Sequence, residues 1–126
     1  MAKGESSDAS GVQTKAYQKG SVAEGISTIA GDPGGADEDS CGAHAEGQGT
    51  HAKGTASHAE GQFAQSLGNS SHAEGSSTCA SATSSHAEGH STRASGDNSH
   101  AEGNSTTAYG LSSHAEGISS VTAVVA

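Results

Sequence analysis

The tetrapeptide His-Ala-Glu-Gly begins at His44, His58, His72, His86, His100 and His114, and every interval is 14 residues. Each copy sets an imidazole two residues from a carboxylate, and on an extended chain residues i and i+2 project from the same side. The pairs His44/Glu46, His58/Glu60, His72/Glu74, His86/Glu88, His100/Glu102 and His114/Glu116 therefore align as two columns. Three chemistries suit such pairs. General acid–base catalysis needs one pocket with distinct partners; identical pairs supply none, and the repeat serines are too generic to nominate a nucleophile. No catalytic residue is assigned, and the chain is read as a non-enzyme. A His and a Glu two apart can share a zinc ion, but equal pairs with no Cys and no third defined ligand do not specify a metal site. No metal or other cofactor is assigned, and a metal-binding solenoid stays as an alternative. Structural hydrogen bonding is the expected role.

The elements that must position these pairs follow from a looser echo at half the period. Ala recurs every seven residues from Ala45 to Ala115, with Ser66 standing in once. Gly follows two residues later at most copies, and Ser or Thr precedes by two, so the half-unit is Ser/Thr-x-Ala-x-Gly-x-x. A period of seven also suggests a coiled coil. Heptads need large apolar residues at two positions, whereas these hold Ser, Ala and Gly, and an interior Gly costs a helix about 1 kcal/mol. The strand period of two instead turns Ser/Thr, Ala and Gly inward together. Uniformly small residues suit a very thin coil, with the two residues after Gly turning the corner. Two strands and two corners make a 14-residue coil. Stacked at about 4.8 Å, up to about nine coils would form a rod on the order of 40 Å long.

Composition agrees only if this order exists. Val, Ile, Leu and Phe total 11, Trp is absent and the net charge is -9, which in an aperiodic chain reads as disorder. The acidic balance argues against a nucleic-acid partner, and no run approaches the roughly 18 apolar residues of a membrane span. The N-terminus has no apolar signal region, which leans towards a virion component.

The outward face of the second half-unit varies, as at His51/Lys53, Gln65/Leu67 and Arg93/Ser95, while the first keeps His and Glu throughout. Repeat duplication explains uniformity but not why one half alone kept it. Stacked glutamates repel, so the His column must compensate within one chain or across subunits. The twelve His and Glu residues are expected to form a subunit interface.

Residues 1–6 read as a tail, 7–30 as degenerate repeats, 31–42 as an acidic Gly/Pro insertion and 43–126 as the regular array. The 15 residues from Ala30 to Ala45 read as a repeat plus one, a bulged or looped-out coil. Asp32, Asp37, Glu38 and Asp39 are oxygen ligands that could hold calcium, but their spacing fits no calcium loop and a solvated turn is the expectation. Cys41 and Cys79 occupy different repeat positions and read as unpaired small side chains.

The frames Ser57-His-Ala-Glu-Gly61, Ser71-His-Ala-Glu-Gly75, Ser85-His-Ala-Glu-Gly89, Ser99-His-Ala-Glu-Gly103 and Ser113-His-Ala-Glu-Gly117 resemble the head repeats of YadA-like trimeric adhesins. The match covers residues 43–123 well and 7–30 loosely. The resemblance implies an all-β, left-handed parallel β-roll, or β-solenoid, assembled as an intertwined or side-by-side homotrimer. The outward Val and Ile of that family face the trimer centre; His and Glu replace them here, implying a polar interface. The repeat also resembles those of phage and prophage tail fibres. The expected function is a structural fibre or adhesin segment outside the cell, on a cell surface or virion, with itself and a host-surface protein or glycan as partners. Ice or surface binding is the alternative; Thr78, Thr92 and Thr106 align, but the alternation places them inside the coil.

Overall fold

A computed structural model of the chain describes residues 1–35 and 41–123. Among them no helix forms, and the strands build two parallel sheets of eight. One sheet holds the long strands, seven of five residues from Asp8–Val12 to His100–Asn104, and then the two-residue His114–Ala115. The other holds two-residue strands from Lys15–Ala16 to Val121–Thr122. Chain order alternates between the sheets, so each turn supplies one long and one short strand. The β-solenoid reading therefore holds, with eight rungs rather than nine.

Register is strict: His86 lies over His72 and under His100, and Ala87, Glu88 and Gly89 stack likewise on their copies. The interior is as small as the sequence requires. The buried apolar residues are all alanines, among them Ala45, Ala52, Ala59 and Ala73 at 0% exposure. Thr50, Ser57, Thr78 and Ser85 complete the lining. Where Ser66 replaces an inward Ala, Ala64 replaces the inward Thr, and the displaced hydroxyl lies 2.6 Å from that of Ser71.

The two Gly series separate, which upholds the inward placement of one and corrects that of the other. Gly54 and Gly96 are buried, but Gly47, Gly61, Gly75, Gly89 and Gly103 are exposed, with φ between +104 and +109°. After Glu the alternation breaks, and the long strand continues over a kink that only Gly readily adopts. A Cβ on Gly75 would stand 2.2 Å from the Gly89 carbonyl oxygen, so successive backbones nearly touch along this line.

The corners are turned where expected, at the second residue after each repeat Gly, but mostly by residues other than Gly. Every seventh residue from Ala56 to Ser119, including Phe63, Ser70, Ser77 and Asn98, has φ between +54 and +58°. These left-handed residues immediately precede each inward Ser, Thr or Ala64, and most are serine. Each is held by its amide: Ser70 N–H donates to Thr55 O and Ser77 N–H to Gln62 O, both at 2.8 Å. At one corner the inward serine closes the turn; Ser57 Oγ donates to Gly54 O and Ser71 Oγ to Gly68 O, both at 2.6 Å. At the other, Thr50 Oγ1 donates to Glu46 O at 3.1 Å. Backbone polar groups are thus paired around the whole rung, as a buried or stacked backbone requires.

The insertion is larger than the sequence count implied. Val22 pairs with His44 and Ile29 with His51, so this rung spans 22 residues against the usual 14. Ala30 belongs to the short strand and Ala45 to the next long strand; seven residues would join them, and the excess is eight. The buried side chain of Gln18 fills the opening, its Nε2 donating to Asp32 O at 2.5 Å. Asp32 itself accepts from Gly34 N at 3.1 Å and lies 3.4 Å from Lys53 Nζ. The other suggested calcium ligands, Asp37, Glu38 and Asp39, lie outside the described residues. At the N-terminus Ala2 bridges in parallel to Ala16, so residues 1–6 touch the short-strand sheet.

Candidate functional site

All twelve His and Glu residues singled out in the sequence fall on one face of the long-strand sheet, in two adjacent columns. The six imidazoles stack face to face, with centroids 4.7–4.9 Å apart and planes within 6°. This spacing is the rung spacing itself, so the sheet register sets the stack.

Glu60, Glu74, Glu88 and Glu102 each reach two histidines. Glu60 lies 3.8 Å from His58 Nε2 through Oε2 and 3.9 Å from His72 Nε2 through Oε1. Glu74 and Glu88 repeat the arrangement at 3.7–3.9 Å, giving a ladder within one chain. These separations exceed the 2.7–3.2 Å of an N–H···O hydrogen bond. Nε2 of His44, His58, His72, His86 and His100 is occluded and has no hydrogen-bond partner among the described residues. The expected hydrogen bonding is therefore not closed within the chain, and what the ladder supplies is a row of unpartnered nitrogens facing carboxylates.

A column of carboxylates one rung apart cannot ionise throughout. Hydrogen bonds to Glu88 and Glu60, then burial and their charges, push Glu74 up to about 7. Glu46 rises chiefly through its hydrogen bond to Glu60, and Glu102 through that to Glu88. Glu60 and Glu88, which those partners serve, are held below the ordinary value by the same bonds. The shifts thus alternate along the column, upward at Glu46, Glu74 and Glu102 and downward at Glu60 and Glu88. Burial, then the adjacent imidazoles, lower His58 and His86.

Beside the glutamates the bare glycines form the floor of an open groove of about 1020 Å³, running from Glu46 and Gly47 to Glu116 and Gly117. Sequence reading missed that the exposed Gly line makes this groove, because the uniform Gly echo hid its two conformations. It also missed Glu24, which stacks under Glu46 and lies 3.5 Å from His44 Nε2. The signal was present in Ala23-Glu24-Gly25, masked by Val22 in the place of histidine.

No family model matches the chain, and no curated protein matches it. Of the other features, Cys79 lies on the short-strand sheet and Cys41 at a corner, with no disulfide between them. Thr78, Thr92 and Thr106 are at most 1% exposed, inside the coil as the alternation required, and offer no surface array.

Proposed function

We propose that the chain is a non-enzymatic structural segment of a trimeric fibre, an adhesin head or tail-fibre element that acts outside the cell in surface attachment. The observation that carries this reading is the unbroken six-rung face of His, Glu and bare Gly on a body whose core, Gln18 apart, is Ala, Ser and Thr. Such a core buries little apolar surface, at roughly 25 cal/mol per Å², so covering one long face with further copies is the available route to a more stable rod. The glycine floor lets another backbone approach closely. The resemblance to YadA-like head repeats favours three copies. Identical pairs repeated along a column have no unique reacting centre, which favours structure over catalysis.

The variable short-strand face, with Gln65, Arg93 and Tyr109, is left to meet a host-surface protein or glycan.

Sedimentation equilibrium tests the assembly. At neutral pH the expected mass is three times the 12.1 kDa of the chain. Replacing Glu60, Glu74 and Glu88 together by Arg should return it to one chain mass with the β circular dichroism retained. A monomeric wild-type rod at micromolar concentration sinks the proposal.

A further inference from the structure

The ladder presents sets of ligand atoms that a hydrogen-bonding role leaves unused. His44, Glu46 and His58 each offer one nitrogen or oxygen, and these lie within 4.8 Å of one another. Glu60, His72 and Glu74 form a second such set, and His86, Glu88 and His100 a third. The three share no residue. A fourth set, His100, Glu102 and His114, competes with the third for His100.

Two observations turn these sets into a site. First, the nitrogen-to-oxygen separations of 3.5–3.9 Å are too long for hydrogen bonds but close to the edge of a zinc tetrahedron. Metal–ligand bonds of about 2.0–2.1 Å place two ligands roughly 3.4 Å apart. Second, the histidine Nε2 atoms are occluded from solvent yet have no hydrogen-bond partner. Leaving such an atom unsatisfied is costly. A neutral imidazole whose Nε2 lone pair faces a carboxylate needs something positive between the two, and a divalent ion meets both.

We propose that the His/Glu ladder binds divalent transition-metal ions of the zinc class, at three sites per chain. Imidazole with carboxylate suits zinc or its neighbours, whereas calcium and magnesium prefer all-oxygen shells. Three protein ligands leave a fourth position for water or for a group from another chain. Each site is complete within one chain, so the inference stands whether or not three copies assemble. Strand register holds neighbouring rings 4.7–4.8 Å apart, so the two histidines of the first and third sets must tilt towards each other to share an ion, whereas the Glu60/His72/Glu74 set needs one ring alone.

The test titrates chelator-stripped protein carrying Cys41→Ser and Cys79→Ser with zinc chloride alone at pH 7.5, by calorimetry, with sedimentation run in parallel. Saturable binding of about three ions per chain is expected, against none for magnesium chloride. Glu60→Gln with Glu74→Gln should lower the stoichiometry by one while circular dichroism is unchanged; His51→Asn, on the other sheet, should leave it intact. Cobalt as a substitute ion should give visible absorption of a four-coordinate nitrogen and oxygen site. Binding of less than one ion per chain, or a stoichiometry that the double Gln variant leaves unaltered, overturns the proposal. A trimer that binds no zinc would overturn this inference alone; a monomer that binds three ions would overturn only the assembly.

Discussion

His72 Nε2 stands 3.9 Å from Oε1 of Glu60, a residue of the preceding rung, and at the same distance from Oε2 of its own rung's Glu74. The histidine thus sits between two carboxylates that the solenoid, not local sequence, has brought together. Glu60 is 12 residues away along the chain, a separation that no strand, helix or turn would place in contact.

That arrangement makes stability depend on pH in two opposed ways. Glu74, held near 7, keeps a proton that the unfolded chain releases around 4.5. Stability therefore falls as pH rises through that window. His58 and His86 are lowered, so below 6.5 the unfolded chain takes up protons more readily and stability falls as pH falls. Glu74→Gln should remove the first effect only: its melting temperature should match the wild type near pH 4.5 and exceed it near pH 8. Parallel melting curves across that range would exclude the upward shift of Glu74.

Gly75 combines a φ of +107° with a neighbouring carbonyl 2.2 Å from where a Cβ would be. Gly75→Ala should lose about 1–3 kcal/mol from the backbone conformation alone, with more from the displaced rung. Urea denaturation measures it. Gly20, also left-handed but with open space around it, should tolerate Ala at about 1 kcal/mol.

The left-handed corners differ in how well their residues suit them. Ala56 has φ +54° and Asn98, at the equivalent corner three coils on, has +57°. Asparagine tolerates this region better than other non-glycine residues. Ala56→Asn is expected to raise stability by about 0.5–1 kcal/mol, and Asn98→Val to lower it by about 1–2 kcal/mol. Equal and negligible effects in chemical denaturation would show that the corners carry no strain.

Gln18 and the insertion should be thermodynamically coupled. Deleting residues 32–39 restores the seven-residue connection but removes the Asp32 carbonyl that Gln18 Nε2 meets. The deletion alone should strand a buried amide at about 1–3 kcal/mol. Combined with Gln18→Gly, which restores the residue found at Gly54 and Gly68 in later rungs, it should recover most of that loss. A double-mutant cycle with no coupling would rule out the plug.

The legible parts of the fold were those written in residue size. A strict Ser/Thr-x-Ala frame leaves no room for any chain but a thin coil, and the His and Glu columns follow from strand alternation once the period is known. Conformation was less legible. Gly47 and Gly54 look alike in sequence but occupy different backbone states, one kinked and exposed, the other buried. Ser70 and Ser77 carry left-handed corners that would more readily be assigned to glycine, because a hydrogen bond donated by each amide to a carbonyl of the rung below holds them there. The length of the insertion is hidden in the sequence because Ala30 and Ala45 look like equivalent repeat positions, although they lie on different sheets. The contacts between neighbouring rungs, which decide what the ladder can bind, depend on side-chain directions that spacing alone does not fix.

The in-register stacking of rungs also limits how such a protein can change length. Duplicating 14 residues adds one rung, about 4.8 Å of rod, and extends every column by a residue of its own kind. Duplicating seven would exchange the two sheets for everything downstream, setting His-Ala-Glu-Gly onto the column that holds Cys79, Arg93 and Thr107. Length is therefore a counted quantity in this protein, altered in whole rungs or by loops that leave at a corner and return to the same phase.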